Sequence, residues 1–339
     1  MDLFITSKPG YEDVLTAELA LYNLNAINSR AGWIFIESTP EIKNNQQNYL
    51  SELCFAQTIL KDPLEINAKS VNILASELTD FFMRSIKGRR IDSEWPYFFG
   101  SANEEKLYQR TKTVENIWLK NIGKRLSRVS KLLTKTIPYY PKFSEGFFVY
   151  FIDFNRICVS LNALSLGQKR IHMDPGSPSR SYLKIEEAYR IIGIEPRKNE
   201  KVADLGAAPG GWSYSALKRG AQVTAVDNGQ LKEPVKSHPN ITHLKENALR
   251  FKPGNNFDWL FCDMIEDPDR ILNMVSKWLK ESWCSYFVVN LKTGRKNPIV
   301  LLKKIKDIKL GLISYCDLLK IRHLYHDREE ITIVGKRIS

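Results

Sequence analysis

The sequence has few cysteines and no long apolar run, and each shortage excludes a class of protein. Its 339 residues include five cysteines and no Cys-x-x-Cys pair, which argues against a disulfide framework and against a zinc site. No apolar stretch approaches the roughly 18 residues of a membrane span. The opening residues, MDLFITSKPGYEDV, lack the basic and apolar regions of an export signal. We therefore expect a soluble protein of the reducing cytoplasm that holds no metal.

Acidic residues are outnumbered by basic ones. Lys and Arg total 50 against 38 Asp and Glu, which gives a net charge of +12. A basic excess favours a polyanionic partner, because cations neutralise phosphates and release counterions. The excess is concentrated between residues 106 and 142, where ten basic residues accompany one acid, Glu115. Nucleic acid is the expected partner, and a membrane is not.

The N-terminal half mixes strand and helix signals. Residues 1–60 predict a small α+β unit, with strands at DLFIT and GWIFIES and helices at YEDVLTAELALYN and NYLSELCFAQTIL. Residues 61–167 predict a second mixed unit, with a helix from about Thr113 to Thr136 and a strand at GFFVYFIDF. One face of that helix is apolar, whereas the other carries a stripe of cations that we expect to meet phosphate: Lys120, Lys124, Arg128, Lys131 and Lys135.

The C-terminal half has a different pattern. Residues 168–180 are rich in Pro, Gly, Ser and Arg, which predicts a linker. From residue 181 to residue 339, short apolar strands such as KVADLG, QVTAVD, FDWLFCDM and CSYFVVNLK alternate with helical segments. This alternation is typical of βαβ crossovers, so it predicts an α/β domain with a mostly parallel sheet.

A glycine-rich turn, LGAAPGGW, follows the strand VADL. Gly206, Gly210 and Gly211 let the backbone approach a ligand closely at the carboxyl end of a strand. The spacing differs from the G-x-G-x-x-G of dinucleotide sites and includes Pro209, which disfavours a nicotinamide cofactor. S-adenosylmethionine carries no phosphate, and Asp227 after QVTAVD can accept hydrogen bonds from its ribose. In the alternative interpretation, the glycines only shape a tight turn.

Three ionisable residues are expected to converge on the same crevice. Asp263 ends FDWLFCDM, Lys292 ends CSYFVVNLK, and Lys184 opens the helix in SRSYLKIEEA. A lysine placed directly after a buried strand tends to lower its pKa, which makes it a candidate general base near neutral pH. Taken alone, each residue is explained equally well as a catalytic group or as a solvent-exposed charged side chain at the edge of a strand. Their joint placement favours catalysis.

These residues, in this order, resemble the FtsJ-type ribose 2'-O-methyltransferases, which use a Lys-Asp-Lys-Glu tetrad. The similar strings are SRSYLKIEEA, DLGAAPGGW, AVDNG, CDMIEDP, NLK and LYHDREEITI, while KPGYEDVLTAEL and FAQTIL extend the resemblance towards the start. The wording is closest to the bacterial enzymes that methylate a cytidine of large-subunit ribosomal RNA. The resemblance implies a Rossmann-like S-adenosylmethionine-dependent domain with a mostly parallel seven-stranded sheet. It also implies a ferredoxin-like unit and a THUMP-type RNA-binding unit before that domain.

The resemblance also assigns roles to single residues. It implies that Lys292 is the proton acceptor and that Lys184, Asp263 and Glu330 complete the tetrad, with Glu329 as the alternative glutamate. Asn247 stands where the family pattern has Asp. The implied contacts to S-adenosylmethionine are Ser181, Ala208, Pro209, Gly210, Gly211, Asp227, Asn247 and Asp263.

The implied function is S-adenosylmethionine-dependent methylation of a ribose 2'-hydroxyl, with large-subunit ribosomal RNA as the substrate. A ribose hydroxyl is a weak nucleophile until its proton is removed, whereas a sulfonium methyl is already activated. The chemistry therefore needs in-line positioning and a base more than a metal. Two alternatives stay open: the same tetrad acting on another RNA, and a non-catalytic RNA-binding factor of ribosome assembly.

Overall fold

The computed structural model describes residues 2–37, 47–101, 104–139, 142–294, 296–307 and 311–338. The chain divides into two compact units, Met1–Leu166 and Gly167–Ser339. Within the described residues, no helix combines the length and the apolar composition that a membrane crossing requires.

The described part of the first unit contains strands and helices in an irregular order. Their bounds are β1 (Leu3–Ser7), α1 (Glu12–Ala20), β2 (Ala26–Arg30), β3 (Trp33–Ile36), α2 (Gln47–Leu50), β4 (Ala56–Lys61), β5 (Leu64–Asn67), α3 (Val71–Ser85), β6 (Trp95–Ser101), α4 (Glu104–Arg125), α5 (Ser127–Ser130), β7 (Leu133–Lys135), β8 (Ser144–Phe151) and β9 (Arg156–Ser165).

One sheet runs through the whole first unit, in the order β2-β3-β1-β4-β9-β8-β6-β7, with β5 also paired to β9. The pairing of β4 with β9 joins the strands of residues 1–60 to those of residues 61–167. Helices α3 and α4 pack on this sheet. At the centre of that core, the buried ring of Trp118 stacks on Phe147 with a centroid distance of 4.7 Å.

Two predicted helices of the first unit are wrong in extent. The helix expected to end at Thr136 ends at Arg125, and Leu133–Lys135 instead pairs with β6 as strand β7. Residues of the apolar run FAQTIL form β4 in the interior of the sheet. A strand buried on both faces gives a continuous apolar run, which periodicity cannot separate from a buried helix. In both places the sheet hydrogen bonds override the helical spacing.

Strands and helices alternate through most of the second unit. Their bounds are α6 (Tyr182–Ile192), β10 (Lys201–Leu205), α7 (Gly211–Lys218), β11 (Gln222–Val226), β12 (Ile241–Leu244), β13 (Phe257–Cys262), α8 (Pro268–Lys280), β14 (Cys284–Lys292), α9 (Pro298–Ile305), β15 (Cys316–Arg322) and β16 (Glu330–Arg337), with short 3-10 turns at Ala248–Arg250 and Leu312–Tyr315.

The second unit confirms the predicted α/β class. Its described strands form a seven-stranded sheet in the order β12-β11-β10-β13-β14-β16-β15. The sheet is mixed, because β10 to β14 pair in parallel whereas β16 is antiparallel to both β14 and β15. A short connection between β15 and β16 forces this antiparallel arrangement, since a parallel pair needs a crossover of a dozen or more residues.

The site is positioned by the ends of these strands. Parallel strands β10, β11, β13 and β14 end at one edge, where their following loops meet, as in other open α/β sheets. Strand β16 begins at the same edge, because Lys292 at the end of β14 is the register partner of Glu330. Helix α6 packs against β13 through Tyr189, which contacts Trp259 and Phe261.

Candidate active site

A cleft opens at the carboxyl edge of the second sheet. It consists of two cavities of about 470 and 230 Å³, and both are walled by Gly206, Ala208 and Asp263. The larger cavity is also lined by Asp227 and Asn247, and the smaller one by Ser181 and Pro209. Six of the eight predicted cofactor residues therefore line these two adjoining cavities: Ser181, Ala208, Pro209, Asp227, Asn247 and Asp263.

The other two predicted cofactor residues shape the glycine-rich turn rather than line the described cleft. Gly211 begins α7, and a Cβ there would overlap the hydroxyl groups of Ser179 and Ser181. A Cβ at Gly210 would press against Val235. The missing side chains let α7 begin close to the segment that precedes α6, so the turn is compact enough for its backbone to form the cleft wall.

Asp227 fastens the glycine-rich turn to the neighbouring loop. Its carboxylate accepts hydrogen bonds from the amide of Ala208 (2.9 Å) and from the amide of Gly229 (2.7 Å). A carboxylate offers about four acceptor positions. Two positions therefore stay available for ligand hydroxyls in the larger cavity.

Asn247 caps the short 3-10 turn that follows β12. Its Oδ1 accepts a hydrogen bond from the amide of Leu249 at 3.0 Å, which leaves the donor NH₂ group for a ligand. Leu249, Met264 and Ile265 add apolar surface to the same cavity. These three residues were not predicted, although Met264 and Ile265 directly follow Asp263 in the sequence.

The four predicted tetrad residues come together as two ion pairs. Lys292 Nζ lies 2.6 Å from Asp263 Oδ1, and Lys184 pairs with Glu330. The side chains are 9–25% exposed, and Lys292 is the most exposed of the four. Because β14 and β16 pair in antiparallel register with Lys292 opposite Glu330, the two ion pairs lie side by side.

Asn290 is a further residue of this site that sequence reasoning missed. It is fully buried on β14, and its Nδ2 donates to Asp263 Oδ1 at 3.0 Å. The same carboxylate oxygen therefore receives hydrogen bonds from both Asn290 and Lys292. This contact fixes the carboxylate that orients the lysine at the edge of the cleft. Its only sequence signal was its position two residues before Lys292.

The electrostatics keep the Lys184–Glu330 pair charged. Burial acts to lower the pKa of Lys184, but the carboxylates of Asp263, Asp327 and Glu330 outweigh it and raise the pKa above its ordinary value. Burial also acts to raise the pKa of Glu330, whereas the ammonium groups of Lys184 and Lys292 bring it below its ordinary value. Both partners are therefore ionised around neutral pH. The ammonium of Lys184 is then a fixed positive charge next to Lys292.

A buried acid, Glu187, connects α6 to the loop before β16. Its carboxylate accepts hydrogen bonds from the amides of Tyr325 (2.8 Å) and His326 (3.2 Å). Glu187 lies three residues after Lys184, so both side chains project from the same face of the helix. Burial raises the pKa of Glu187 to about 8. Glu187 therefore ties helix α6, which carries Lys184, to the loop that leads to Glu330. No role for Glu187 was predicted from the sequence.

Comparisons with known proteins identify the family to which this chain belongs. Residues 178–308 match the model of the FtsJ-like methyltransferases. Ribosomal RNA large subunit methyltransferase M of Laribacter hongkongensis is 33% identical over 252 residues, which cover 66% of this chain and 71% of that protein. The chain belongs to the ribosomal RNA large subunit methyltransferase M family. Its second unit contains the S-adenosylmethionine-dependent, FtsJ-like methyltransferase domain of that family, as predicted.

Other members of the family are similar over a shorter range. The protein of the same name from Aggregatibacter aphrophilus is 40% identical over 182 residues, or 50% of this chain and 49% of that protein. The one from Thauera aminoaromatica is 36% identical over 176 residues, or 49% and 48% of the two chains. The chain thus spans about half the length of these two relatives. The FtsJ-like match includes Lys184, Asp263 and Lys292 and ends before Glu330.

Glu329 and Glu330 are adjacent in the chain, but Glu330 is buried and pairs with Lys184 whereas Glu329 is exposed. Replacing each in turn tests whether the ion pair of Glu330 contributes to the stability of the protein. The pKa of Glu330 is lower in the folded chain than in the unfolded chain, so its stabilising effect is complete above roughly pH 4.3 and is lost as the pH falls through the lower folded pKa. We expect Glu330→Gln to remove this part of the acid dependence of the free energy of unfolding. The measurement is urea unfolding at several pH values between about 2.5 and 6.

Glu329→Gln is the control, because the Glu329 side chain is exposed. It should leave the pH dependence of stability unchanged. Equal effects of the two substitutions would contradict the assignment of the ion pair to Glu330.

Proposed function

We propose that the chain methylates a ribose 2'-hydroxyl of RNA, in a cytidine of large-subunit ribosomal RNA, with S-adenosylmethionine as the methyl donor. The observation that carries the proposal is the contact of Lys292 Nζ with Asp263 at 2.6 Å, beside the Lys184–Glu330 pair, at the edge of the cleft. Family membership supports the methyl donor and the class of RNA. A ribosomal RNA substrate would place the protein in the cytoplasm.

The cleft fits the methyl donor in size and in chemistry. The larger cavity, of about 470 Å³, falls in the usual range for small-molecule sites, and the smaller cavity of about 230 Å³ shares part of its wall. Asp227 has acceptor positions for ribose hydroxyls, and Asn247 has a donor NH₂ for an adenine nitrogen. Ser181, Ala208 and Pro209 line the smaller cavity together with Asp263, one residue of the tetrad. When bound, S-adenosylmethionine supplies a methyl group that is activated by its attachment to a positively charged sulfur.

Lys292 is the proposed general base. Its neutral amine takes the proton of the ribose 2'-hydroxyl, so that the oxygen becomes nucleophilic as the methyl group is transferred. The ammonium of Lys184, held by Glu330, is a fixed positive charge beside this base. Asp263, fixed by Asn290, then accepts a hydrogen bond from the lysine as it becomes protonated.

The first unit is the proposed RNA-binding part, with a ferredoxin-like segment over residues 1–60 and a THUMP-type segment over residues 61–167. Three of its predicted cations, Lys120, Lys124 and Lys131, are exposed and form no ion pair among the described residues. Arg128 pairs with Asp92, and Lys135 lies 2.6 Å from Glu115. These two cations are therefore partly neutralised, so the proposal depends mainly on the other three.

A non-catalytic RNA-binding factor and an enzyme for another RNA are the rival proposals. The first is disfavoured by the two assembled ion pairs, because burying four charges is costly in a protein that has no use for them. The second differs only in the RNA that the first unit would select, so the substrate has to be tested directly.

Replacement of the proposed base separates catalysis from cofactor binding. We expect Lys292→Ala to lower the rate of methyl transfer by about 10²- to 10⁴-fold, because the general base is lost. The affinity for S-adenosylmethionine, measured by calorimetry, should stay within about twofold. Lys296→Ala is the matched control, since Lys296 pairs with Asp267 and Asp269 and with no residue of the tetrad. A large loss of cofactor affinity in Lys292→Ala would show a structural role instead.

The cations of the first unit generate a prediction about salt dependence. Replacing Lys120, Lys124 and Lys131 together by Ala should weaken RNA binding and reduce the slope of log affinity against log salt by about 2 to 3. Filter binding at several salt concentrations measures that slope. Replacing the ion-paired Arg128 and Lys135 should reduce it less per charge removed. An unchanged slope in the triple variant would contradict the proposed RNA-binding surface.

A further inference from the structure

A short basic segment with exposed side chains is bound through its backbone to the helix that carries Lys184 and to the loop that leads to Glu330. We name residues 169–172 the basic strap. The amide of Lys169 donates to the Glu187 carboxylate at 3.1 Å, and the amide of Ile171 donates to His326 Nε2 at 2.8 Å. The side chains of Lys169, Arg170 and His172 are exposed. The strap is therefore held by its backbone, which leaves its cations facing solvent.

The anchors of the strap are the anchors of the tetrad. The fully buried Glu187 also accepts the amides of Tyr325 and His326 in the loop that leads into β16. Lys184 lies one helical turn before Glu187, and its partner Glu330 begins β16. The strap and the Lys184–Glu330 pair are thus fixed to the same two elements. A strand of substrate bound along the strap would be positioned relative to the base.

The charge of the strap is not neutralised within the described residues. Neither Lys169 nor Arg170 forms an ion pair there, and the nearby acid Asp174 is bound to Lys218 at 2.6 Å. Other cations of the same unit do have carboxylate partners: Arg219, Arg270, Lys296 and Lys304. Exposed cations on an immobilised backbone are suited to phosphate groups, because little conformational entropy of the chain is lost on binding.

We propose that the basic strap binds backbone phosphates of the acceptor RNA strand next to the ribose that is methylated. This inference rests on the proposed function, and it assigns the contact of the catalytic unit with its substrate. Phosphate contacts of this kind carry no sequence information but fix the register of the strand. The strap therefore sets where the ribose lies, while the choice of RNA is made elsewhere.

The test is the double variant Lys169→Ala/Arg170→Ala, assayed with large-subunit RNA that lacks its modifications. We expect kcat/KM for RNA to fall roughly tenfold and the salt slope of RNA binding to fall by about 1 to 2. The affinity for S-adenosylmethionine should not change. The control is Lys201→Ala/Lys280→Ala, which removes the same charge at the opposite edge of the sheet, where Lys201 opens β10 and Lys280 ends α8. Both control lysines are exposed.

The two readouts separate a failure of the strap from a failure of the proposed function. An active wild type with equal kinetics and equal salt slopes in both double variants would overturn the strap proposal. A wild type that binds RNA without transferring methyl would overturn the proposed reaction, and the salt slope of the strap variant would still decide whether the strap binds RNA. A wild type that neither binds nor methylates RNA would overturn both.

Discussion

The antiparallel pairing of β14 with β16 is the constraint on which the candidate site depends. It places Lys292, the last residue of one strand, opposite Glu330, the first residue of the other. Asp263 then reaches Lys292 from the end of the adjacent strand β13, and Lys184 reaches Glu330 from α6. Because side chains alternate between the faces of a sheet, a register slip of one residue would turn Glu330 to the other face and break the arrangement.

Pairing also makes the burial of four charges tolerable. An isolated buried charge is costly, whereas two adjacent ion pairs offset much of the desolvation, and Asn290 adds a hydrogen bond to Asp263. The two pairs are not equivalent. Lys184 and Glu330 are the more deeply buried partners, whereas Lys292 is the most exposed member and lies next to the cleft. In the proposed mechanism, Lys184 is the fixed charge and Lys292 is the residue that exchanges a proton.

The sequence predicted the residues whose positions follow from where strands end. Asp227, Asp263 and Lys292 each complete or follow an apolar strand, so parallel pairing brought them to one edge. Features that depend on distant partners escaped prediction. The end of α4 is set by the pairing of Leu133–Lys135 with β6, and the role of Glu187 depends on amides more than 130 residues away. Neither leaves a periodic signal in the local sequence.

The position of the transferred methyl group distinguishes methylation of a ribose from methylation of a base. Wild-type protein would be incubated with labelled S-adenosylmethionine and large-subunit ribosomal RNA that lacks its modifications, and the digested RNA would be analysed by mass spectrometry. We expect a cytidine with its methyl group on the ribose 2'-oxygen. A methyl group on a base, or no transfer although both S-adenosylmethionine and RNA bind, would contradict it.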